Sequence, residues 1–497
     1  MKKRYINVPP YTTFREVRAR SDSLSATQYK SLCIANKNLR RVSDFLDRGL
    51  ERSDLGSEVG SESYVEASAC SFMRTKALQP YSYLPETSGE ALQPISPRNY
   101  VEFGLKEGDV LVCKDSNVGE AVILERDYPG TMLCGGIYRL PVTTHKHYLL
   151  AFMKSEIVRQ QIDYLIPRGS TLRHGKTKFL ECSIPMPNRD TQRSIQYVEL
   201  LVQAIVRKEK EMRRKHREIL RRIEKELRDH QGPKSFCYAL PTFREVAELE
   251  RLDSALFAEK FKQNEFLIHN YAFGTKTITE LGFEISRGQN LQVSNIGTSI
   301  YSDEKREGFY TLVRPMNISE IGTVLQYEYL GNGNQLLCLR RGDIIFGAEG
   351  TFRSFVVIDE VENVITNIHG ITLNQHSHSI EKGVFVKLLL DYYRSKQMVG
   401  AYAVGGNGGS LAIKYWDFLR FPNFPEERER EITRLYHNAK AAYHPGPCGL
   451  NDFLSYDDGY NQEAGIYEID RSMKYLQDLL EKAVDAIAND IPVSVRF

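Results

Sequence analysis

The stretch Arg189–Asp229, RDTQRSIQYVELLVQAIVRKEKEMRRKHREILRRIEKELRD, contains neither Gly nor Pro. Its apolar residues fall at Ile195, Val198, Val202 and Ile205, then at Met212, Ile219, Ile223 and Leu227. Intervals of three, four and seven place one narrow apolar stripe on one face of a helix. About 40 residues rising 1.5 Å each make a rod of roughly 60 Å. Such a rod outruns a single domain, so the chain on either side of it is expected to fold as separate bodies.

The two flanks resemble each other. Thr13-Phe14-Arg15-Glu16-Val17 returns verbatim as Thr242-Phe243-Arg244-Glu245-Val246. Arg20-x-Asp22-Ser23 returns as Arg251-x-Asp253-Ser254, Arg48-Gly49 as Arg287-Gly288, and Arg74, after an apolar pair, as Arg314. Gly108-Asp109-Val110-Leu111 matches Gly342-Asp343-Ile344-Ile345, and Ile184-Pro185-x-Pro187 is echoed by Phe421-Pro422-x-x-Pro425. The six pairs keep their order with offsets of 229–240. A colinear series of this kind marks an internal duplication.

Each half therefore reads the same way. Short β-rich runs follow the Gly-Asp turn: Val110–Lys114 and Glu120–Leu124, then Ile344–Gly347 and Ser354–Ile358. An amphipathic helix is expected near Tyr148–Tyr164 and again near Val384–Tyr402. A polar, Gly-bearing loop comes next, at 167–178 and 404–414, and a short strand then ends at the proline pair. The second copy of the long helix is interrupted. Its pattern runs over Glu426–Tyr443, breaks at His444-Pro-Gly-Pro-Cys-Gly449, and continues as a polar loop to about Gln462. It resumes at Ile466, Ile469, Met473, Leu476, Leu480, Ala483 and Ile487, a heptad seam. Arg207–Arg228 holds eleven basic and five acidic residues, whereas 466–490 holds three basic and six acidic. Opposite charge and matching seams predict that the two helices pair antiparallel.

The fold class expected is α+β: two duplicated mixed α/β domains separated by two long helices pairing as an antiparallel coiled coil. The boundaries expected are 1–188 for the first domain and 189–231 for the central helix. Residues 232–425 form the second domain, and 426–497 a helical region interrupted at 444–465.

Composition removes several functions. Apolar residues make up 41% of the 497, enough for packed cores. Net charge is +2, so affinity for nucleic acid must come from local patches. The eight cysteines never form C-x-x-C, which argues for free thiols in a reducing cytoplasm rather than zinc or disulfides. MKKRYINVPP lacks the apolar core of a signal peptide, and no run approaches a membrane span. Gly169 to Gly175-Lys176-Thr177 resembles a phosphate-binding loop, but five residues separate its glycines where four are needed. Asn7-Val8-Pro9-Pro10-Tyr11 misses the amino-methyltransferase motif by its inserted Val8. His369, His376 and His378, or His145 and His147, lack acidic or Cys partners at metal-ligand spacing. No G-x-S-x-G elbow occurs.

What remains is binding chemistry. The first loop carries Arg168, Ser170, Thr171, Arg173, His174, Lys176 and Lys178. Arginine grips guanine bidentately, while Lys, Ser and backbone amides hold phosphates. The second loop offers Asn407, Ser410 and Lys414 and is less basic, as expected if the halves read different sequences. As a solvated pair of loops, the same residues would do nothing.

Two halves joined by a long helix, each with an Arg-x-Asp segment, a Gly-Asp run and a glycine–serine loop, resemble a known family. Ile184-Pro185-Met186-Pro187 followed by Gln192-x-x-Ile195 is similar to the junction of target-recognition domain and conserved helix in type I restriction–modification specificity subunits. The resemblance covers nearly the whole chain. It implies a non-catalytic reader whose two target-recognition domains each bind half of a bipartite site in double-stranded DNA. It implies a coiled coil that fixes the spacing and docks two methyltransferase (modification) subunits, with a motor–nuclease restriction subunit able to join. S-adenosylmethionine would sit in the methyltransferase, with no cofactor or metal bound by this chain, and the complex would be cytoplasmic with no membrane contact. The chain departs from the pattern where Gln192 aligns with Glu429 and where residues 444–462 interrupt the second helix. A self-contained methyltransferase or nuclease with degenerate motifs, and a coiled-coil protein scaffold, stand as alternatives.

Overall fold

The computed structural model describes residues 5–19, 22–166, 175–359, 363–405 and 409–497. The chain divides into two units. One comprises Lys2–Glu211, Tyr443–Gln462 and Arg471–Phe497; the other has Met212–Ala442 and Glu463–Asp470 as its body.

The first unit builds two three-stranded sheets. In one, Ser71–Met73 lies between antiparallel Leu92–Pro94 and parallel Thr131–Leu133. In the other, Val110–Cys113 lies between antiparallel Ala121–Ile123 and Ile137–Leu140. All four residues of Val110–Cys113 are buried. They read as a continuous apolar run because both faces are covered, Leu111 and Cys113 by the cluster of Phe72, Met73, Met132 and Leu133.

The second unit repeats this plan. Tyr310–Leu312 pairs with antiparallel Glu328–Gly331 and parallel Val364–Ile365. Ile344–Gly347 lies between Ser354–Val356 and Gly370–Gln375, both antiparallel. Each sheet gains an edge strand, Ile300–Ser302 in one and Phe283–Arg287 in the other. The proline-ended strands also correspond: Ser183–Pro185 pairs with Leu39–Arg41, and Phe421–Pro422 with Thr275–Lys276. The duplication is thus a duplication of topology, mixed pairing included, and the fold class is α+β.

The pairing registers correct one match made on residue identity. Gly288 donates to the Gly370 carbonyl (2.9 Å) and Gln289 to Thr366 (2.9 Å). Their counterparts are Gly56, donating to Ile137 (3.0 Å), and Ser57, donating to Leu133 (2.9 Å). A Cβ on Gly288 would lie 2.2 Å from the Asn367 carbonyl oxygen, and one on Gly56 2.1 Å from that of Cys134. Gly49 has open space around it. Arg48 instead forks Asp54 at 2.6 and 2.8 Å, so Arg48-Gly49 is not the partner of Arg287-Gly288.

The helix expected near Tyr148–Tyr164 is two helices, Lys146–Met153 and Glu156–Leu165. Between them Lys154, almost fully buried, donates to the Gln79 carbonyl (2.6 Å) and meets Glu120 (3.3 Å). The corresponding region of the second unit forms Ile380–Ser395 and Met398–Tyr402. Lys387 does there what Lys154 does, donating to the Ile321 carbonyl (2.7 Å) and pairing with Asp391 (2.7 Å).

The long helix runs over Thr191–Asp229, and its whole predicted stripe is buried. The last helix, Ile466–Ala488, buries its heptad seam likewise. Residues 191–211 share a unit with 471–488, and 212–229 share the other with 463–470. Each part of the long helix is anchored within its own unit by buried polar groups. Glu209 accepts from Ser82 Oγ and from the Tyr83 and Leu84 amides at 3.0–3.1 Å. His216 meets Asp391 at 3.1 Å. Much of the arginine surplus is answered within the helix itself: Arg221 and Arg222 pair with Glu218, and Arg228 with Glu224.

Two expectations fail near the C-terminus. The helix begun at Glu426 ends at Tyr436, before the predicted Tyr443. The predicted polar loop contains an additional helix, Phe453–Glu463. Its buried face is polar. Lys208 Nζ lies 2.8 Å from Asp457 and 2.8 Å from Asn461, and Tyr443 donates to Asp457 (2.8 Å). The ammonium also sits over the rings of Tyr443 and Tyr460 at 4.4 and 4.9 Å. The eight cysteines are free thiols. Among the described residues no helix is long and apolar enough to cross a membrane.

Candidate nucleic-acid interface

The central strand of each half ends at the same kind of junction. In the first unit, Lys114 follows Val110–Cys113. Its amide donates to the Gly136 carbonyl (2.8 Å), and its carbonyl accepts from Gly175 (2.7 Å). A side chain at 175 has no room, since a Cβ would lie 2.4 Å from Val118 Cγ1 and 3.0 Å from the Lys114 oxygen. In the second unit, Ala348 follows Ile344–Gly347. Its amide donates to His369 (3.0 Å) and its carbonyl accepts from Leu411 (2.8 Å). The two loops singled out in the sequence are therefore tied to equivalent backbone atoms at the same end of equivalent strands.

Of the candidate residues in the first loop, Arg168, Ser170, Thr171 and Arg173 lie outside the described residues. Lys176 adopts a left-handed conformation (φ 46°) next to the Gly175 anchor. Lys178 forms a surface ion pair with Glu181 (2.7 Å). In the second loop, Asn407 lies outside the described residues. Ser410 exchanges both backbone hydrogen bonds with Val404 (2.8 and 3.0 Å), which closes the loop at its base, and bridges Glu349. Lys414 pairs with Glu250 (3.0 Å) and lies over the Tyr415 ring. Lys178 and Lys414 are each already met by a carboxylate, which would compete with a phosphate for the ammonium.

The Arg-x-Asp segment of the second half has a defined task. Arg251 donates to the carbonyls of Tyr402 (2.6 Å) and Ala403 (3.0 Å), pairs with Asp253 (2.5 Å) and stacks over Tyr415. Those carbonyls end the helix Met398–Tyr402, so Arg251 fixes the stem from which the second loop departs. In the first half Arg20 lies outside the described residues.

The turns that directly follow the central strands were not singled out. Lys114 and Asp115 form an ion pair at 2.5 Å, whereas the corresponding stretch after Ala348 has Glu349, paired with His369 at 2.9 Å. These pairs differ in order and type between the halves. The signal in the sequence was position alone: both sit just after the repeated Gly-Asp run. His369, weighed as a metal ligand, instead has a single carboxylate partner. Among the described residues no group of three His, Cys, Asp or Glu side chains is gathered for a metal.

No protein-family model matches the sequence, and no curated protein matches it. Solved structures do. A type I restriction–modification S subunit from M. genitalium matches with 12% identity and a TM-score of 0.35, over 90% of this chain and 95% of that one. The HsdS subunit from Thermoanaerobacter tengcongensis matches with 11% identity and a TM-score of 0.26, over 92% and 98%. The chain is similar along most of its length to type I specificity subunits. A third match, at 12% identity and a TM-score of 0.25 over 91% and 98%, is from work on complex assembly and conformational transition of the type I R-M system. The duplication itself stands on this chain's own strand registers.

Proposed function

We propose that this chain is the DNA sequence-recognition subunit of a type I restriction–modification complex, and that it is not itself an enzyme. The observation that carries the reading is the pair of equivalent anchors. One topology, present twice, presents two loops of different composition from the same strand end, the first basic and the second rich in glycine. A reader of a bipartite site needs this: a common frame to position each half, and unlike side chains to specify each sequence. In this reading residues 1–188 and 232–425 are target-recognition domains. Each binds one half-site of double-stranded DNA through Arg168, Ser170, Thr171, Arg173, Lys176 and Lys178, or through Asn407, Ser410 and Lys414. The helices at 189–231 and 426–497 pair to set the spacing. They dock two methyltransferase subunits, which bring S-adenosylmethionine and flip the target adenine, and a motor–nuclease subunit can join. The chain binds no cofactor itself and works in the cytoplasm.

The test is to map methylated adenines in DNA from cells with and without this chain. A split motif with an unread gap of fixed length should vanish when the chain is removed. Methylation that persists unchanged, or that shows no split motif, would sink the reading.

One observation favours a protein scaffold instead. The repeated TFREV segments form short helices, Phe14–Ala19 and Phe243–Leu249, that bury no residue. Phe14 and Phe243 are 71% and 96% exposed. If the chain assembled with its partner yet bound no duplex DNA, these helices would be its business end.

A further inference from the structure

Arg74 and Arg314 belong to the duplication, and nothing in the reading above uses them. Each immediately precedes a short 3-10 turn, Thr75–Ala77 or Pro315–Asn317. Each faces a glutamate on the neighbouring antiparallel segment: Glu328 opens its strand, and Glu90 lies in the turn Gly89–Ala91 just ahead of Leu92–Pro94. Arg74 Nη1 lies 3.7 Å from Glu90, and Arg314 Nη2 lies 3.0 Å from Glu328. Their side chains are open to nearly the same degree, 35% and 32%. Among the described residues the buried Arg314 Nε finds no acceptor.

Both arginines stand beside the loop anchors. A Cβ on Gly136 would lie 2.7 Å from Thr75 Cγ2, and Gly136 is the residue that holds Lys114, which holds Gly175. A Cβ on Gly347 would lie 3.3 Å from Pro315 Cβ, and Gly347 leads into Ala348, which holds Leu411. In each half a short run of contacts leads from the turn after the arginine to the loop anchor, through Gly136 in the first half and through Gly347 in the second.

The loops differ between the halves and the arginines do not. A group that reads bases must differ when the sequences differ, whereas a group that grips the sugar–phosphate backbone need not. We propose that Arg74 and Arg314 are equivalent phosphate-gripping residues, one for each DNA half-site. Glu328 holds the Arg314 guanidinium directly, whereas Glu90, hydrogen-bonded to Lys76, only lies near Arg74; in both halves the exposed part of the guanidinium is left to meet a phosphate oxygen. This inference rests on the DNA-recognition reading, and the test separates the two.

The full chain is titrated with a duplex carrying its own split motif and with a scrambled duplex, over a range of salt. Arg74→Gln and Arg314→Gln should each weaken binding to both duplexes alike, and each should lower the salt slope by about 1. Arg74→Lys should retain most of the affinity. Glu90→Gln and Glu328→Gln, which remove a nearby negative charge, should strengthen binding. An arginine–glutamate pair that is only structural predicts otherwise: both members lower the melting temperature and neither changes the salt slope. That result, or a changed motif preference at one half-site, overturns the inference and leaves the recognition reading intact. Absence of any salt-dependent binding by the unsubstituted chain overturns both.

Discussion

Glu429 occupies the place of Gln192 when the proline-ended strands of the two halves are aligned, Pro185 with Pro422. It is half-buried in the first turn of Glu426–Tyr436. Burial, then the Glu426 carboxylate, pushes its carboxyl up to about 7, against the pull of Lys276 and Lys382. The folded value lies above the unfolded one, so the folded state holds this proton more tightly. The resulting stabilisation is complete below the unfolded value of about 4.3 and fades as pH rises through about 7. Glu429→Gln supplies the residue of the first half and removes the titration. Its melting temperature, compared with that of the unsubstituted protein, should gain steadily from pH 5 to 7 and level off above. The gain should be about 1 kcal/mol, discounted because the group is partly exposed to water. A difference that stays constant with pH would show that the carboxyl does not titrate in this window. The buried lysine Lys208 is shifted the other way. Burial lowers it to about 8 against the attraction of Asp457, and the ammonium persists at neutral pH because that carboxylate is 2.8 Å away.

That ion pair explains why the helix Phe453–Glu463 was illegible in the sequence. Helices were found by apolar periodicity, and this one faces inward with Asp457 and Asn461 beside Phe453. What fixes it is a charge on a distant segment, Lys208, which local pattern cannot report. The long helix was legible nearly to the residue because its stripe is apolar throughout. The common anchor of the two segments at 167–178 and 404–414 was not legible, because it is a backbone contact made by Lys114 and Ala348, which any residue type can make. The match of Arg48-Gly49 with Arg287-Gly288 failed because identity outweighed packing: the glycine that must be glycine is Gly56. For the same helix, Asp457→Ala leaves Lys208 buried without its counter-charge. About 3–5 kcal/mol of stability should be lost. Asp458→Ala, which breaks only the half-exposed pair with Arg207 (2.5 Å), should cost about 0–1 kcal/mol. Chemical denaturation of the two variants checks the contrast, and equal losses would mean that the buried pair does not hold the helix.

On the scale of the whole molecule, a net charge of +2 leaves no general field to draw in DNA, so each half must bring its own contacts. The halves share their strand registers, their buried lysines Lys154 and Lys387, and their arginine–glutamate pairs. They differ in the loops and in the turns beside them. If the shared parts position and the unlike parts specify, then a change in one loop is felt in one half-site alone. Replacing Arg173 and Lys176 together should therefore relax or alter the bases recognised in one half of the motif, while the other half and the gap keep their identity. Sequencing methylated sites in cells carrying the variant reads all three quantities at once. Degradation of both half-sites together would mean that the halves act as one reading surface, and the duplicated frame would then need a different purpose.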